Sequence, residues 1–260
     1  MASFRSVLIT GASSGIGRAL AEACSGPGVV LHLGGRDATR LEQTAAACRA
    51  RGAEVQARAV EVTDTAAMAE WFRAAGQLDL VVANAGISGG TGAGAEESAA
   101  QARAIFAVNL DGMLNTVLPA MEAMAAQPPD GNGVRGRIAV VASIAAFLPA
   151  PGAPAYSASK AAADYWTVAT AAGARRRGIR LTSVCPGFIR TPMTANNPYP
   201  MPGLMSAERA ARITLRGIAA GRRRVVFPWW VGLLARCVGL LPPRVLSALM
   251  SISQGKPVLG

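Results

Sequence analysis

Residues 7–23, VLITGASSGIGRALAEA, place three glycines between a strand pattern and a helix pattern. Glycines at such a turn permit a tight bend and let backbone N–H groups approach a phosphate, to which the helix N-terminus adds partial positive charge. Glycines also bend chains that bind nothing, and the spacing of Gly11, Gly15 and Gly17 is GxxxGxG rather than the commoner GxGxxG. The strand–turn–helix context nevertheless favours a phosphate-binding loop in an open α/β sheet.

Short β-branched runs on both sides of this turn alternate with alanine-rich helical patterns. Seven strands with intervening helices predict a parallel sheet covered on both faces, and continuous apolar runs are typical of such buried strands. We therefore predict a single-domain Rossmann fold, a doubly wound α/β protein. The predicted strands are RSVLIT (5–10), VVLHL (29–33), EVQARAV (54–60), LDLVVA (78–83), RIAVVA (137–142), IRLTSVC (179–185) and RVVFP (224–228).

Three glycine- and proline-rich stretches interrupt this alternation. The stretches 88–98 and 186–205 follow strands, so they belong at the ligand-binding edge of the sheet. The stretch 127–136 follows a helix, and we expect it at the opposite edge as a surface insertion. The expected parts of the single domain are a cofactor-binding and catalytic core at 1–185, a substrate loop or lid at 186–225 and an apolar C-terminal extension at 226–260.

The composition is that of a folded protein. Of the 260 residues, 51% are hydrophobic, enough for a substantial core. The net charge of +11 comes without any nucleic-acid-binding module, so no nucleic-acid partner is predicted. Four separated cysteines predict reduced thiols and no metal site, and the start MASFRSVLIT lacks a signal-peptide pattern. A cytoplasmic protein is expected.

The end of the second predicted strand indicates which dinucleotide is bound. A site for a free ribose 2′-hydroxyl carries an acidic residue there, but Gly34 and Gly35 occupy this position and Arg36 follows. A guanidinium suits a 2′-phosphate, so NADP (NADPH) is predicted in preference to NAD, which stays the alternative. Asp37 would repel that phosphate unless its side chain turns away.

The stretch PAYSASKAAA, residues 154–163, contains Tyr156 and Lys160, which is one of only two lysines in the chain. Hydride exchange with a carbonyl needs a group that exchanges a proton near neutral pH, and a phenol does so only when a cation favours its phenolate. Lys160 at i+4 shares the helix face of Tyr156 and supplies that cation. Ser143 ends a predicted strand, where its hydroxyl can polarise the reacting oxygen. Each residue alone fits an ordinary surface or capping position, but together they predict an oxidoreductase.

Further motifs follow in a fixed order along the chain: TGASSGIG (10–17), ANAG (83–86), Asn109 in VNLDG, Ser143, YSASK (156–160) and PGFIRT (186–191). In order and spacing the chain resembles the short-chain dehydrogenase/reductase family over nearly its whole length. The resemblance implies that Tyr156 is the acid/base and that Ser143 orients the carbonyl. It also implies that Lys160 binds the nicotinamide ribose and lowers the tyrosine pKa, and that Asn109 supports a proton relay through water.

The same resemblance implies a set of cofactor-binding residues. Asn84 would stabilise the sheet beside the cofactor, and Ile189 and Thr191 would hold the carboxamide. Glu61 and Val62 replace the Asp–Val pair that often meets the adenine in this family. The implied set is Gly11, Ser13, Ser14, Gly15, Ile16, Gly17, Arg36, Glu61, Val62, Asn84, Ala85, Gly86, Tyr156, Lys160, Pro186, Gly187, Ile189 and Thr191.

The substrate stays open at this stage because loops form its pocket. An apolar, adaptable lining predicts a hydrophobic ketone or secondary alcohol, although the same residues could only pack the loop. The alternative functions are a non-catalytic NADP-binding regulator and a membrane-surface protein. The predicted substrate residues are Phe147, Met193, Tyr199, Met201, Leu204 and Met205.

Two surfaces predict contacts outside the chain. The apolar run 225–235 is about half the length that spans a bilayer. Tryptophans beside arginines in 222–250 suit peripheral contact with a membrane, while burial at the pocket or in a subunit contact is the other interpretation. The alanine-rich helix beginning near Ser157 carries Tyr165 and Trp166, more apolar surface than the sheet needs. This excess predicts a homodimer or homotetramer.

Overall fold

A computed structural model describes residues 4–92, 96–250 and 256–259. Its strands are β1 (Ser6–Thr10), β2 (Val30–Gly35), β3 (Glu54–Ala59), β4 (Leu80–Ala83), β5 (Gly136–Val141), β6 (Ile179–Pro186), β7 (Ile189–Arg190), β8 (Met205–Ser206) and β9 (Arg224–Phe227). All the predicted strands join one seven-stranded parallel sheet in the order β3-β2-β1-β4-β5-β6-β9. The pair β7–β8, which the sequence did not predict, forms a small separate parallel ladder.

Helices cover both faces of the sheet, as predicted. Adjacent residues on a strand point to opposite faces, so Val7 and Ile9 pack into one core and Leu8 into the other. The first core is closed by α1 (Gly15–Cys24), α2 (Ala38–Arg49) and α7 (Ala207–Ala219). The second is closed by α3 (Thr65–Ala75), α5 (Gly112–Ala126) and α6 (Pro154–Arg176). The remaining α-helices of the described residues are α4 (Ala99–Phe106), α8 (Trp229–Gly239) and α9 (Pro243–Met250).

The strand order reverses at β1, which lies between β2 and β4. Open α/β sheets bind ligands at such a reversal, outside the carboxyl ends of the strands. The insertion after α5 lies at the other edge, as predicted: the Gln127 amide accepts the Leu78 N–H at 2.7 Å and donates to the Leu78 carbonyl at 3.0 Å, just before β4. The segments that follow β1, β2, β4, β5 and β6 all begin at this edge and can therefore build a site.

The C-terminal segment returns to this edge. The predicted boundary at 225/226 lies inside β9, which pairs with β6. The division of the domain into three parts stays a prediction. Val231 and Ala235 of α8 pack on Ile144. Within the described residues, the helical stretch Ala99–Ala126 is long and apolar enough to cross a membrane, but 50% of its most apolar window is buried inside the protein.

Candidate active site

A cavity of about 680 Å³ opens at the carboxyl edge of the sheet. Its lining runs from the turn after β1, past the ends of β4, β5 and β6, to α8 and the C-terminal tail 256–259. All the predicted cofactor-binding residues line it except Gly17. The cavity is thus the place where the predicted cofactor and catalytic groups meet.

Three positions in the turn after β1 and the first turn of α1 favour glycine. Gly11 and Gly15 have φ values of +66° and +56°, in the region that favours glycine. A Cβ on Gly17 would lie 2.2 Å from the Gly11 carbonyl oxygen and 2.5 Å from Asn84 Nδ2, so Gly17 shapes the turn without lining the cavity. Ser14 at the N-cap of α1 makes no side-chain capping bond. The first-turn N–H groups therefore stay available to an anion.

Asn84 joins the end of β4 to this turn. Its Nδ2 donates to the carbonyls of Thr10 at 3.0 Å and Gly11 at 3.1 Å. In return, Thr10 Oγ1 accepts the N–H groups of Asn84 at 3.0 Å and Ala85 at 3.2 Å. This reciprocal bonding fixes the turn against the sheet, which is the place implied for Asn84 by the family resemblance.

The two glycines at the end of β2 are required by their neighbours. A Cβ on Gly34 would lie 2.4 Å from the Trp71 ring, and one on Gly35 would lie 3.3 Å from Ser13 Oγ. Any larger residue at Gly35 would extend toward the glycine turn. Gly34 therefore has no room for a side chain and Gly35 little, so this end of β2 holds no acidic side chain of the kind that an NAD site carries.

Two arginines line this end of the cavity. The Arg36 side chain is 60% exposed and lies 3.9 Å from the Glu61 carboxylate. Asp37 also lines the cavity, but its carboxylate is engaged at the start of α2, where it accepts the Arg40 N–H at 2.9 Å and pairs with Arg40 Nε at 2.6 Å. These bonds, the backbone one first, hold the Asp37 pKa below its usual value. Arg40, which sequence reasoning missed, lines the cavity as well.

Tyr156, Ser143 and Lys160 come together at the cavity wall. Ser143 Oγ accepts the Ala145 N–H at 3.1 Å and lies in the cavity wall near the half-buried Tyr156 phenol, whose pKa it influences. Lys160 is buried, and its Nζ donates to the Val141 carbonyl at 2.8 Å. A Cβ on Gly86 would lie 3.3 Å from Lys160 Nζ, so the ammonium reaches the cavity floor beside the end of β4.

The pKa shifts of these groups come mainly from burial. Burial raises the pKa of Tyr156, and the Ser143 hydrogen bond opposes this only in part. Burial, followed by the charge of Lys256, lowers the pKa of Lys160 to about 8. The prediction that Lys160 lowers the Tyr156 pKa is wrong in this structure. Desolvation of the phenolate dominates, and Lys160 is engaged with a main-chain carbonyl.

Asn109 lies in a π-helical stretch, Ala107–Asp111, between α4 and α5. Its Oδ1 accepts the Ile87 N–H at 2.8 Å, while Nδ2 donates to the Ile87 carbonyl and to Ser159 Oγ, both at 3.0 Å. Asn109 Oδ1 would also lie 3.1 Å from a Cβ on Gly86. The buried amide is therefore positioned next to the floor that Lys160 reaches, and its part in a relay stays a prediction.

A buried ion pair anchors the helix that carries Tyr156. Asp164 of α6 is fully buried and binds Arg224 of β9 through two bonds of 2.9 and 2.7 Å. Ser183 Oγ donates to the same carboxylate at 2.6 Å. The network ties α6 to β6 and β9 and so fixes the height of Tyr156 above the sheet.

The segment after β6 closes the cavity from the other side. The Gly187 N–H donates to the Phe227 carbonyl at 2.8 Å, and a Cβ on Gly15 would lie 3.1 Å from Thr191 Cγ2. Thr194 Oγ1 donates to the Ile189 carbonyl at 2.6 Å. The predicted carboxamide-binding segment thus lies directly against the glycine turn.

Two predicted substrate residues, Met193 and Tyr199, line the cavity, and the other four do not. Met205 is buried in the core, because β8 pairs with β7. The Phe147 ring instead packs under two guanidinium groups, with the carbon of Arg236 4.3 Å from its centroid. Met201 and Leu204 do not line the cavity; Met201 Sδ accepts from Asn197, and Leu204 faces solvent.

Other residues that sequence reasoning missed form most of the substrate end. Apolar groups come from the stretch after β5 and from α8, and one ammonium comes from the tail. No local pattern marks these residues as neighbours, because they lie about a hundred positions apart in the chain. The missed lining residues include Ile144, Val231, Leu234, Val238 and Lys256.

A family model described as short chain dehydrogenase matches residues 5–200. The chain belongs to this family. An uncharacterized oxidoreductase of Myxococcus xanthus is 35% identical over 95% of this chain and 96% of its own length. A 3-ketoacyl-ACP reductase from Sinorhizobium meliloti is 30% identical, with a TM-score of 0.74 over 88% of this chain and 99% of its own. A short-chain dehydrogenase from Sphingobium yanoikuyae in complex with NADPH is 25% identical, with a TM-score of 0.78 over 95% of both chains.

The protein is accordingly an NAD(P)-dependent oxidoreductase of the short-chain dehydrogenase/reductase family that acts on CH–OH and C=O groups. Its seven-stranded sheet is the Rossmann-like sheet of its structural neighbours.

Proposed function

We propose that the protein interconverts a hydrophobic carbonyl compound and a secondary alcohol, prefers NADPH, and uses Tyr156 as the general acid/base. The observation that carries the proposal is that Tyr156, Ser143 and Lys160 meet in the same cavity as the glycine turn.

The residues fit a nicotinamide dinucleotide. The turn at Gly11 and Gly15 leaves main-chain groups open to a pyrophosphate, and Lys160 Nζ reaches the floor where a nicotinamide ribose would lie. Ile189 and Thr191 line the wall between these two points. When bound, the cofactor supplies or accepts the hydride.

The residues of this chain supply the proton and hold the carbonyl. Ser143 donates a hydrogen bond to the carbonyl oxygen, so the carbon accepts hydride more readily. Tyr156 then gives its phenolic proton to the oxygen, which completes the alcohol and leaves a phenolate. A proton then returns to the phenolate through the floor at Lys160 and Asn109. Alcohol oxidation runs the same steps backwards.

The preference for NADPH rests on the end of β2. Gly34 and Gly35 leave no acidic group to meet a 2′-hydroxyl, while Arg36 and Arg40 line the cavity. Arg40 pairs with Asp37, whereas Arg36 has only the Glu61 carboxylate at 3.9 Å, so the Arg36 guanidinium is the one left for a 2′-phosphate. A guanidinium beside a 2′-phosphate favours NADP over NAD.

The proposal is tested with a panel of apolar ketones and secondary alcohols, read by nicotinamide absorbance, with the Tyr156→Phe variant as the blank. We expect turnover above the blank for at least one apolar compound, faster with NADPH than with NADH. Binding of NADPH without turnover of any compound would instead support the non-catalytic regulator.

A second role, contact with a membrane surface, is favoured by one observation. Apolar side chains of α8 and of the turn after it stay exposed, with Trp229 at 72% and Leu240 at 85%, and α8 and α9 also carry the exposed Arg236 and Arg244. This combination suits peripheral binding to anionic lipid and is compatible with catalysis in the cytoplasm. Sedimentation with anionic vesicles should be salt-sensitive and weakened by Trp229→Ala. Equal sedimentation with neutral vesicles would contradict the role.

We also propose a homodimer or homotetramer formed through α4, α5 and α6. Phe106, Leu118 and Tyr165 of these helices are 38%, 48% and 70% exposed, which is apolar surface that a second copy would cover. Light scattering should give a mass above that of one chain at micromolar concentration, and a monomer would contradict the proposal.

A further inference from the structure

The chain has two lysines, and both line the cavity that contains Tyr156. Lys160 lies one helical turn after Tyr156. Lys256 belongs to the C-terminal tail, and its Nζ lies 4.0 Å from the centroid of the Tyr156 ring. Every other basic side chain apart from His32 is arginine. Both lysine ammonium groups of the chain are therefore found at this one cavity.

Main-chain hydrogen bonds hold the tail in place. The Lys256 N–H donates to the Gly152 carbonyl at 3.1 Å, and the Gly92 N–H donates to the Lys256 carbonyl at 2.7 Å. The Gly90 N–H likewise donates to the Pro257 carbonyl at 2.9 Å. The tail is therefore clamped between the loop after β4 and the loop before α6, independently of its side chains.

The glycine-rich stretch after β4 is shaped by this tail. A Cβ on Gly90 would lie 2.1 Å from the Gly152 carbonyl oxygen and 2.6 Å from Lys256 Cβ. A Cβ on Gly89 would lie 3.1 Å from the Leu259 nitrogen and 2.7 Å from the Gln101 amide oxygen. These glycines leave the space that the tail occupies, so the tail belongs to the site.

The Lys256 ammonium lines the cavity with few partners. It donates to Ser88 Oγ and rests on the face of the Tyr156 ring. No carboxylate of the described residues lies within ion-pair distance of it. Burial lowers the pKa of Lys256 to about 8, because no carboxylate offsets the desolvation of its charged form. A buried charge without a partner is costly, and an anion bound beside it removes that cost.

We propose that Lys256 is a specificity-determining residue that binds a carboxylate of the substrate close to the reacting carbonyl. The inference rests on the proposed function and deepens it: the substrate class is a keto acid, or the corresponding hydroxy acid, with an apolar body. The apolar side chains of α8 contact the body, the ammonium binds the carboxylate, and Tyr156 meets the carbonyl between them.

The test measures binding first. Hexanoate and hexanol serve as probes in thermal-shift measurements on the full chain, with and without NADPH. We expect hexanoate to raise the Tm of the wild type and of Lys256→Arg at similar concentrations. For Lys256→Met, the hexanoate concentration that gives the same rise in Tm should be at least about 10-fold higher, since a hydrogen bond to a charged group is lost. Hexanol should not distinguish the variants. Arg73→Met, an exposed charge outside the cavity, is the matched control and should behave as the wild type.

Turnover then separates this inference from the proposed function. With α- and β-keto hexanoic acids and their methyl esters, Lys256→Met should raise KM for an acid about 10-fold and leave KM for its ester unchanged. If Lys256→Met lowers kcat equally for acid and ester, Lys256 acts on Tyr156 and not on a substrate carboxylate, and the inference is overturned. A hexanoate response that is absent, or unchanged in Lys256→Met, would also overturn it. A Lys256-dependent response without turnover of any compound would overturn only the proposed function.

Discussion

The two ends of the cavity are built in different ways. At the cofactor end, main-chain atoms come so close that Gly17 and Gly34 admit no side chain, and Asn84 binds two carbonyls of the turn. At the substrate end, apolar side chains from α8 meet a tail that carries one ammonium. Close main-chain packing fixes a shape that tolerates no substitution, whereas a wall of side chains can change its ligand one residue at a time.

Gly17→Ala should give the largest effect, because it tests the tight end. The new methyl group would lie 2.2 Å from the Gly11 carbonyl oxygen, so the turn must move. We expect NADPH affinity to fall about 100-fold and the protein to lose about 1–3 kcal/mol of stability by overpacking. Gly26→Ala, where nothing lies within 4 Å of the new methyl group, is the control. Comparable effects of the two substitutions in fluorescence titration would break the comparison.

Arg36→Ala should have an intermediate effect at the outer part of the same end. Loss of a guanidinium beside the 2′-phosphate should weaken NADPH binding about 10-fold and leave NADH binding unchanged. Arg18→Ala, which removes an arginine paired with Glu22 outside the cavity, is the control. If NADPH and NADH weaken together, Arg36 does not select the cofactor.

Leu234→Ala should have a smaller effect, confined to the substrate end. Leu234 and Leu233 are similarly exposed, at 56% and 54%, but only Leu234 lines the cavity. We expect Leu234→Ala to raise KM for an apolar substrate several-fold, as the loss of about 1 kcal/mol of apolar contact implies. Leu233→Ala should leave steady-state kinetics unchanged, and equal responses would remove α8 from the site.

The pH dependence of stability tests the two buried lysines of the cavity without any ligand. Burial lowers the pKa values of Lys160 and Lys256 to about 8, against 10.5 for an ordinary lysine. Above about pH 8 the unfolded chain keeps these protons while the folded protein releases them. The two lysines therefore make the free energy of unfolding of the protein rise with pH between about 8 and 10.5. Urea denaturation should show a shallower rise in Lys256→Met, and an identical slope would show that the Lys256 pKa is ordinary.

The same contrast explains what the sequence revealed. The cofactor end depends on short-range constraints, so the glycines, Asn84 and the Tyr156–Lys160 spacing could be recognised in the sequence. Met205 failed as a prediction because an apolar residue in a loop looks the same whether it faces a pocket or the core. The predicted lowering of the Tyr156 pKa was wrong because the spacing indicates a neighbouring charge but not the burial that outweighs it.

The remaining site residues could not be predicted because contacts between distant parts of the chain bring them to the cavity. Leu234 and Lys256 reach the cavity only because α8 packs on the stretch after β5 and the tail is clamped by loops more than a hundred residues earlier. No periodicity or motif encodes such contacts. The glycines at 89 and 90 were visible in the sequence, but their reason, the room they leave for the tail, appears only in the fold.

The central claim is that Tyr156 exchanges the proton while the rest of the cavity holds cofactor and substrate. It is tested most directly by measuring NADPH affinity and turnover of the same apolar carbonyl compound in wild type and Tyr156→Phe. The account predicts that turnover falls about 10³-fold, as expected for loss of a general acid, while the NADPH dissociation constant stays within about twofold because a single hydroxyl is removed. Turnover in Tyr156→Phe close to that of the wild type would contradict the account.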